Sequence, residues 1–148
     1  MDPWNVDAKF RKQFEAAFFG LQCTAAEKYG PDSWRFSFEG RTFLDAHCTW
    51  RIIASGCIVL ANGDHDQQFG LPAPLDGQAE VLRLLDDKID SVHIRDTTSD
   101  LVLSLRGGTA LEILTDSSGY ECWQCASTNG LKAVVQGGGN LVYWYAIE

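Results

Sequence analysis

No apolar run in this 148-residue sequence approaches the roughly 20 residues needed to cross a bilayer, so no membrane partner is expected. The opening Met1-Asp2-Pro3-Trp4 lacks the basic-then-apolar order of a signal peptide, which argues against export. The cysteines are odd in number, five in all. Without a leader, the disulfide framework of a small secreted domain is not expected. Cys23, Cys48, Cys57, Cys122 and Cys125 are therefore read as free thiols of a cytoplasmic protein, with Cys57 a small buried hydrophobe beside Ile58 and Val59. Cys122-Trp123-Gln124-Cys125 has no second cysteine pair at zinc spacing, so no metal is expected. This C-x-x-C also lies in the alternating segment Tyr120–Cys125 rather than at a helix start. Residues three apart on a strand face opposite sides, which leaves no shared redox or metal chemistry. No serine or cysteine stands in a nucleophile elbow. Gly137-Gly138-Gly139 leads into the strand-like Leu141–Tyr145 and not into the Lys-Ser/Thr of a phosphate loop, so it reads as a hairpin connection. No catalytic residue and no cofactor is expected.

Basic residues are the scarcer sign: 12 Lys and Arg against 20 Asp and Glu, a formal net charge of −8. Residues 1–63 balance, whereas residues 64–100 carry nine acids against Arg83, Lys88 and Arg95, a net of −6. A phosphate backbone is repelled by such a surface, which argues against nucleic acid as a partner. A basic protein partner is attracted, and its association is accelerated.

What is present is globular material in two helical and many alternating segments. Phe10, Phe14, Ala17, Phe18 and Leu21 fall on one face of a helix expected from about Asp7, its N-cap, to Phe19, with Gly20 ending it. Ser33–Phe38, Arg41–Ala46, Thr49–Ile53 and Cys57–Leu60 read as strands. A Gly/Pro-rich loop follows, then a second helix from about Gly77 to Asp87. Strands resume at Ile89–Ile94, Asp100–Leu105, Thr109–Leu114, Tyr120–Cys125, Leu131–Val135 and Leu141–Ala146. The aromatic run that ends the chain, without surrounding Lys or Arg, reads as core or sheet-edge packing and not as a base-stacking platform.

Phe36–Leu44 aligns with Leu103–Leu111, Trp50 with Trp123, and Gly56–Leu60 with Gly130–Val134. This implies internal duplication of a helix-plus-four-strand unit, with pseudo-repeats at about 7–63 and 77–140 in one domain. The expected fold is α+β, predominantly antiparallel β-sheet covered by two helices. Trp50 and Trp123 should occupy equivalent core positions.

Two surfaces are candidates for function. The loop residues Asp64, His65 and Asp66, together with Asp86 and Asp87 of the acidic helix, form the expected binding face for a basic protein. Alternatively, Asp64-His65-Asp66 could orient a general base or a ligand, since a carboxylate beside an imidazole sets its tautomer. Either way His65 competes with a local role in the loop's own hydrogen bonding. His47 and His93 read as structural. A third possibility is a homodimer through the aromatic terminal strand.

Cys48-Thr49-Trp50-Arg51-Ile52, then Asp64-His65 with Phe69–Pro74, then Ser117–Gln124 resemble a set of small uncharacterised bacterial proteins whose domain has no assigned function. The resemblance implies a bacterial cytosolic protein and brings no catalytic residues with it. Cys122 stands where relatives often carry a small residue. Similar small acidic proteins act as immunity partners of secreted toxins, and by analogy a toxin-neutralising role is the leading expectation.

Overall fold

Strands with one buried face alternate, and most of this chain alternates. The burial of Ser33–Phe38 switches at every residue, as does that of Leu101–Leu105 and Leu131–Gln136, the mark of sheet lying on a core. The computed structural model describes residues 8–145; the expected N-cap Asp7 and the strand residue Ala146 lie outside them. In order come α1 (Ala8–Phe18), β1 (Cys23–Gly30), β2 (Ser33–Phe38), β3 (Phe43–Ala46), β4 (Thr49–Ala54), β5 (Cys57–Ala61), α2 (Gly77–Leu84), β6 (Ile89–Ile94), β7 (Leu101–Leu105), β8 (Ala110–Leu114), β9 (Trp123–Ala126), β10 (Leu131–Gln136) and β11 (Asn140–Tyr145). The fold is α+β and mostly antiparallel sheet. No helix among the described residues is long and apolar enough to cross a membrane.

The strands form a six-stranded sheet in the order β1-β2-β3-β9-β10-β11 and a five-stranded sheet in the order β5-β4-β8-β7-β6. Each sheet thus takes three successive strands from one half of the chain and further strands from the other, β9, β10 and β11 in the first sheet and the β4–β5 hairpin in the second. The orders β1-β2-β3-β9-β10 and β6-β7-β8-β4-β5 correspond strand for strand. Registers correspond as well. Trp34 pairs with Ala46 and Ser37 with Phe43 across β2 and β3, while Leu101 pairs with Ile113 and Ser104 with Ala110 across β7 and β8. Ala46 pairs with Trp123 at one junction and Ile113 with Trp50 at the other. Both tryptophans are fully buried. Each helix packs on the first strand of the opposite half, α1 on β6 and α2 on β1.

The sheets face each other through aromatics. The Trp50 ring lies 5.0 Å from Trp34 and 5.2 Å from Phe36, and α1 adds Phe14 at 5.7 Å from Trp123 and Phe18 at 5.6 Å from Phe38. One cluster of buried residues draws on both sheets and both helices.

Several expectations are corrected. The first half holds a helix and five strands rather than four, because β1 was missed, and the second half a helix and six strands. Two register irregularities break its period, so that Cys23 and Ala26 both point inward, and a bulge of this kind erases alternation. The second helix ends at Leu84 and not Asp87, because the backbone leaves helical geometry at Leu85, whose N–H closes the last turn on the Val81 carbonyl. Regular strand begins at Trp123 and not Tyr120. Cys57 is exposed, as are Ile58 and Val59, because β5 is a sheet edge; an apolar run does not reveal whether its strand is central.

The cysteines give the largest correction. Cys48 and Cys122 are joined by a disulfide, with Cα atoms 5.1 Å apart, and only Cys23, Cys57 and Cys125 are free. The chain leaves the first sheet after β3 and returns to it after β8, and both crossings pass one corner. Residues 74 positions apart meet there, a proximity that spacing along the chain does not encode.

Candidate functional site

The loop after β5 closes on itself. Asp64 Oδ2 accepts from the Ala61 N–H at 2.9 Å, and the Asp64 N–H returns a bond to the Ala61 carbonyl at 3.0 Å. His65 Nδ1 accepts from the Gly77 N–H at 3.0 Å, which places the proton of the neutral ring on Nε2 and satisfies a first-turn donor of α2. The His65 ring stands edge-on to Trp34 at 5.9 Å, and its Nε2 is 3.6 Å from Asp66 Oδ2. A Cβ at Gly77 would sit 3.2 Å from both His65 and Trp34, so the close approach depends on glycine. Asp76 completes the cap, its carboxylate accepting from the Gln78 and Ala79 N–H groups at 3.1 and 3.2 Å.

Asp86 accepts from Gln22 Nε2 at 2.8 Å. Asp87 accepts from the N–H groups of Lys88 and Gly107, each at 2.8 Å. The eight residues of α2 separate these two carboxylates from the Asp64–Asp66 loop, a span of about 12 Å at 1.5 Å per residue. The five sequence candidates therefore sit at the two ends of one helix and do not converge on one point. Asp64, His65, Asp86 and Asp87 hold neighbouring segments together, and Asp66 projects into solvent with 78% of its side chain exposed.

Convergence occurs elsewhere, at the corner where the chain crosses between sheets. Beyond the Cys48–Cys122 bond, the His47 N–H donates to the Cys122 carbonyl at 2.7 Å. The Thr49 N–H and hydroxyl both donate to Asp116 Oδ2, at 3.0 and 2.6 Å. Ser117 Oγ accepts from the Gly119 and Tyr120 N–H groups at 3.1 and 2.9 Å, a tight turn that leaves Tyr120 82% exposed. Between this corner and the β1–β2 turn lies an open cleft of about 770 Å³, lined by Asp32, His47, Asp116, Ser117, Tyr120 and Glu121.

His47 is held at both ring nitrogens, with Nδ1 2.9 Å from Ser33 Oγ and Nε2 3.5 Å from the Tyr29 hydroxyl. Desolvation, reinforced by the charge of Asp45, pushes the Tyr29 phenol above its ordinary pKa, so it remains a neutral hydroxyl at pH 7. Ser33 and His47 are close enough to exchange a proton, but Ser33 does not line the cleft, and the group orienting the imidazole is a phenol and not a carboxylate. Among the described residues Asp32 and Glu121 make no hydrogen bond or ion pair, and no group of three or more His, Cys, Asp and Glu is placed to hold a metal.

Three carboxylates, no Lys or Arg, and an exposed Tyr thus share one cleft, an arrangement suited to a cation with an aliphatic stem. Sequence reasoning missed it because its residues come from positions 32, 47 and 116–121. The signal was nonetheless present, since Cys48–Ile52 and Ser117–Gln124 were singled out as characteristic segments, and they meet here. No family model, curated protein or solved structure matches the chain.

Proposed function

We propose that the protein is an acidic protein-binding domain whose cleft at the corner between the two sheets receives a Lys or Arg side chain of a basic partner, in the role of an immunity factor that neutralises a toxin. The observation that carries this reading is the unpartnered pair Asp32 and Glu121 beside Asp116 and the protruding Tyr120. An exposed Tyr flanked by charge complementary to the partner is the composition of an interaction hot spot. The −6 segment contributes the long-range field that speeds encounter. The test is affinity capture from the native cell, repeated with Asp32→Asn/Glu121→Gln and with Asp64→Asn/Asp66→Asn. A basic protein retained by the wild type and the loop variant, and lost from the cleft variant, is the expected result. Equal retention by both variants, or no partner at low salt, would reject the reading.

The same corner offers a test of compartment. Disulfides persist in oxidising environments and are reduced in the cytosol, so a protein isolated from the cytoplasm should carry Cys48 and Cys122 as thiols.

A homodimer is a second reading, favoured by β11, a sheet edge on which Val142, Tyr143, Trp144 and Tyr145 are 37–44% exposed. Light scattering that finds a monomer at high concentration would dispose of it. We also infer that the matched registers of the two halves descend from duplication of one helix-plus-five-strand unit.

A further inference from the structure

A second cleft lies at the other end of strands β2, β3 and β9. The six residues of β2 separate it from the acidic corner, about 20 Å at the rise of a strand. Its volume is about 670 Å³, and the β2–β3 and β9–β10 turns form its walls. The turns interlock: the Arg41 N–H donates to Thr128 Oγ1 at 3.1 Å, and the Thr128 N–H donates to Thr42 Oγ1 at 3.3 Å. A Cβ at Gly40 would sit 2.7 Å from Thr128 Oγ1, and Gly40 has φ +75°, so this close approach requires glycine on both counts.

Two cations face this cleft. Of the 12 Lys and Arg of the chain, Arg11, Arg35, Arg51, Arg83, Lys88 and Arg95 each pair with a carboxylate. Lys9, Lys12, Lys28, Arg41, Arg106 and Lys132 pair with none among the described residues, and of these Arg41 and Lys132 line this cleft together, with no acid among its lining residues. Asn129 Oδ1 is taken by Ser127 Oγ and by the Leu131 N–H, which leaves its amide nitrogen as a donor. The corresponding turn of the other half already holds an anion: the Asp87 carboxylate accepts from the Gly107 N–H at 2.8 Å. Among the described residues no carboxylate takes that place at Gly40. A smaller hollow of about 210 Å³ shares Ser127, Thr128 and Asn129 and continues over Ala16, Ala17 and Leu21, which provides room for an apolar substituent.

We propose that this cleft is an oxyanion site that takes the phosphate group of a small organic phosphate. Arg41 supplies the planar fork that matches phosphate oxygens and Lys132 a point charge. Thr128 and Asn129 add neutral donors, and the Ala16–Leu21 hollow accepts the organic part. The volume lies within the range of small-ligand sites.

The test is a two-dimensional amide NMR titration at ionic strength held constant with chloride. Inorganic phosphate, phenyl phosphate and benzoate are the probes. Amide shifts at Arg41, Thr128 and Gly130 should saturate with both phosphates, and more tightly with phenyl phosphate. Arg41→Ala and Lys132→Ala should each weaken binding by roughly tenfold, the worth of one charge-assisted contact, while Arg106→Ala and Asp32→Asn/Glu121→Gln leave it unchanged. All of these side chains lie at the surface, and melting temperatures close to wild type would show that the variants fold. Shifts that never saturate, or that survive in the Arg41→Ala/Lys132→Ala double variant, would overturn the site. Saturation by benzoate alone would overturn the phosphate assignment.

Discussion

Consider a variant in which both Cys48 and Cys122 are replaced by alanine. The bond joins positions 74 apart in sequence, and a closed loop of that length removes about 15 cal/mol/K from the unfolded chain, or about 4.5 kcal/mol at 25 °C. That is a large share of the roughly 5–15 kcal/mol that holds a domain folded. Both half-cystines are buried, at 8% and 1% exposure, so truncation also empties a little packed space. The assay is urea unfolding of three samples: oxidised wild type, wild type in a phosphine reductant, and the double alanine variant. With an m-value of about 2 kcal/mol/M, the reduced protein and the variant should both unfold about 2 M urea earlier than the oxidised protein. Coincident midpoints for oxidised and reduced wild type would refute the reasoning, because they would show that closing this loop contributes none of the expected chain-entropy stabilisation. Thiol titration supplies an independent check. The native protein should show one fast thiol, Cys57, the denatured unreduced protein three, and the reduced denatured protein five. Five before reduction would mean that the bridge does not form.

The buried thiols and the two tryptophans give further tests. Desolvation pushes the Cys125 thiol up to about 12, and Cys23 to about 11. The unfolded chain gives up these protons from about pH 9, while the fold keeps them. Their contribution is therefore intact below pH 9 and is lost as pH rises through 11. Urea midpoints compared at pH 7 and pH 10 should fall more in wild type than in a Cys23→Ala/Cys125→Ala variant; equal falls would exclude the effect. Trp123 Nε1 donates to the Ser99 carbonyl at 2.8 Å, whereas Trp50 Nε1 is buried with no partner among the described residues. Trp123→Phe orphans a carbonyl and Trp50→Phe removes an orphaned donor. The first should cost more than the second by about 1–3 kcal/mol in chemical denaturation, and the reverse order would show that the indole hydrogen bonds do not decide. Either tryptophan replaced by Ala should cost on the order of 3–5 kcal/mol.

The parts of the fold visible in the sequence are those where one physical signal dominates. β2, β7 and β10 are half-buried with intact period two, and Phe10, Phe14 and Phe18 mark one helical face. β1 was invisible because its irregular register brings Cys23 and Ala26 to the same side. Cys57-Ile58-Val59 misled because hydrophobicity reports composition, whereas exposure depends on whether another strand lies alongside. At the candidate sites, Asp64, Asp86 and Asp87 were legible as charges but not as acceptors, Asp64 for the Ala61 amide, Asp86 for the Gln22 side chain and Asp87 for the Lys88 and Gly107 amides. The two clefts draw on segments about 70 to 90 positions apart, and such convergence becomes readable only when the crossings between sheets are known.

The exchange of hairpins between the sheets also governs how the chain can acquire its fold. The first sheet cannot place β9 beside β3 until some 125 residues have left the ribosome, and β4 must wait for β8. Contact order is therefore high, and folding should fall toward the slow end for a domain of this size. A chain severed within the Asn62–Leu75 loop would yield two pieces, each with a three-stranded meander whose edge awaits strands carried by the other, β9 to β11 for the first and the β4–β5 hairpin for the second. Neither piece should hold stable sheet alone. Mixed at equimolar concentration, they should assemble at a rate that is second order in fragment, as two subunits do.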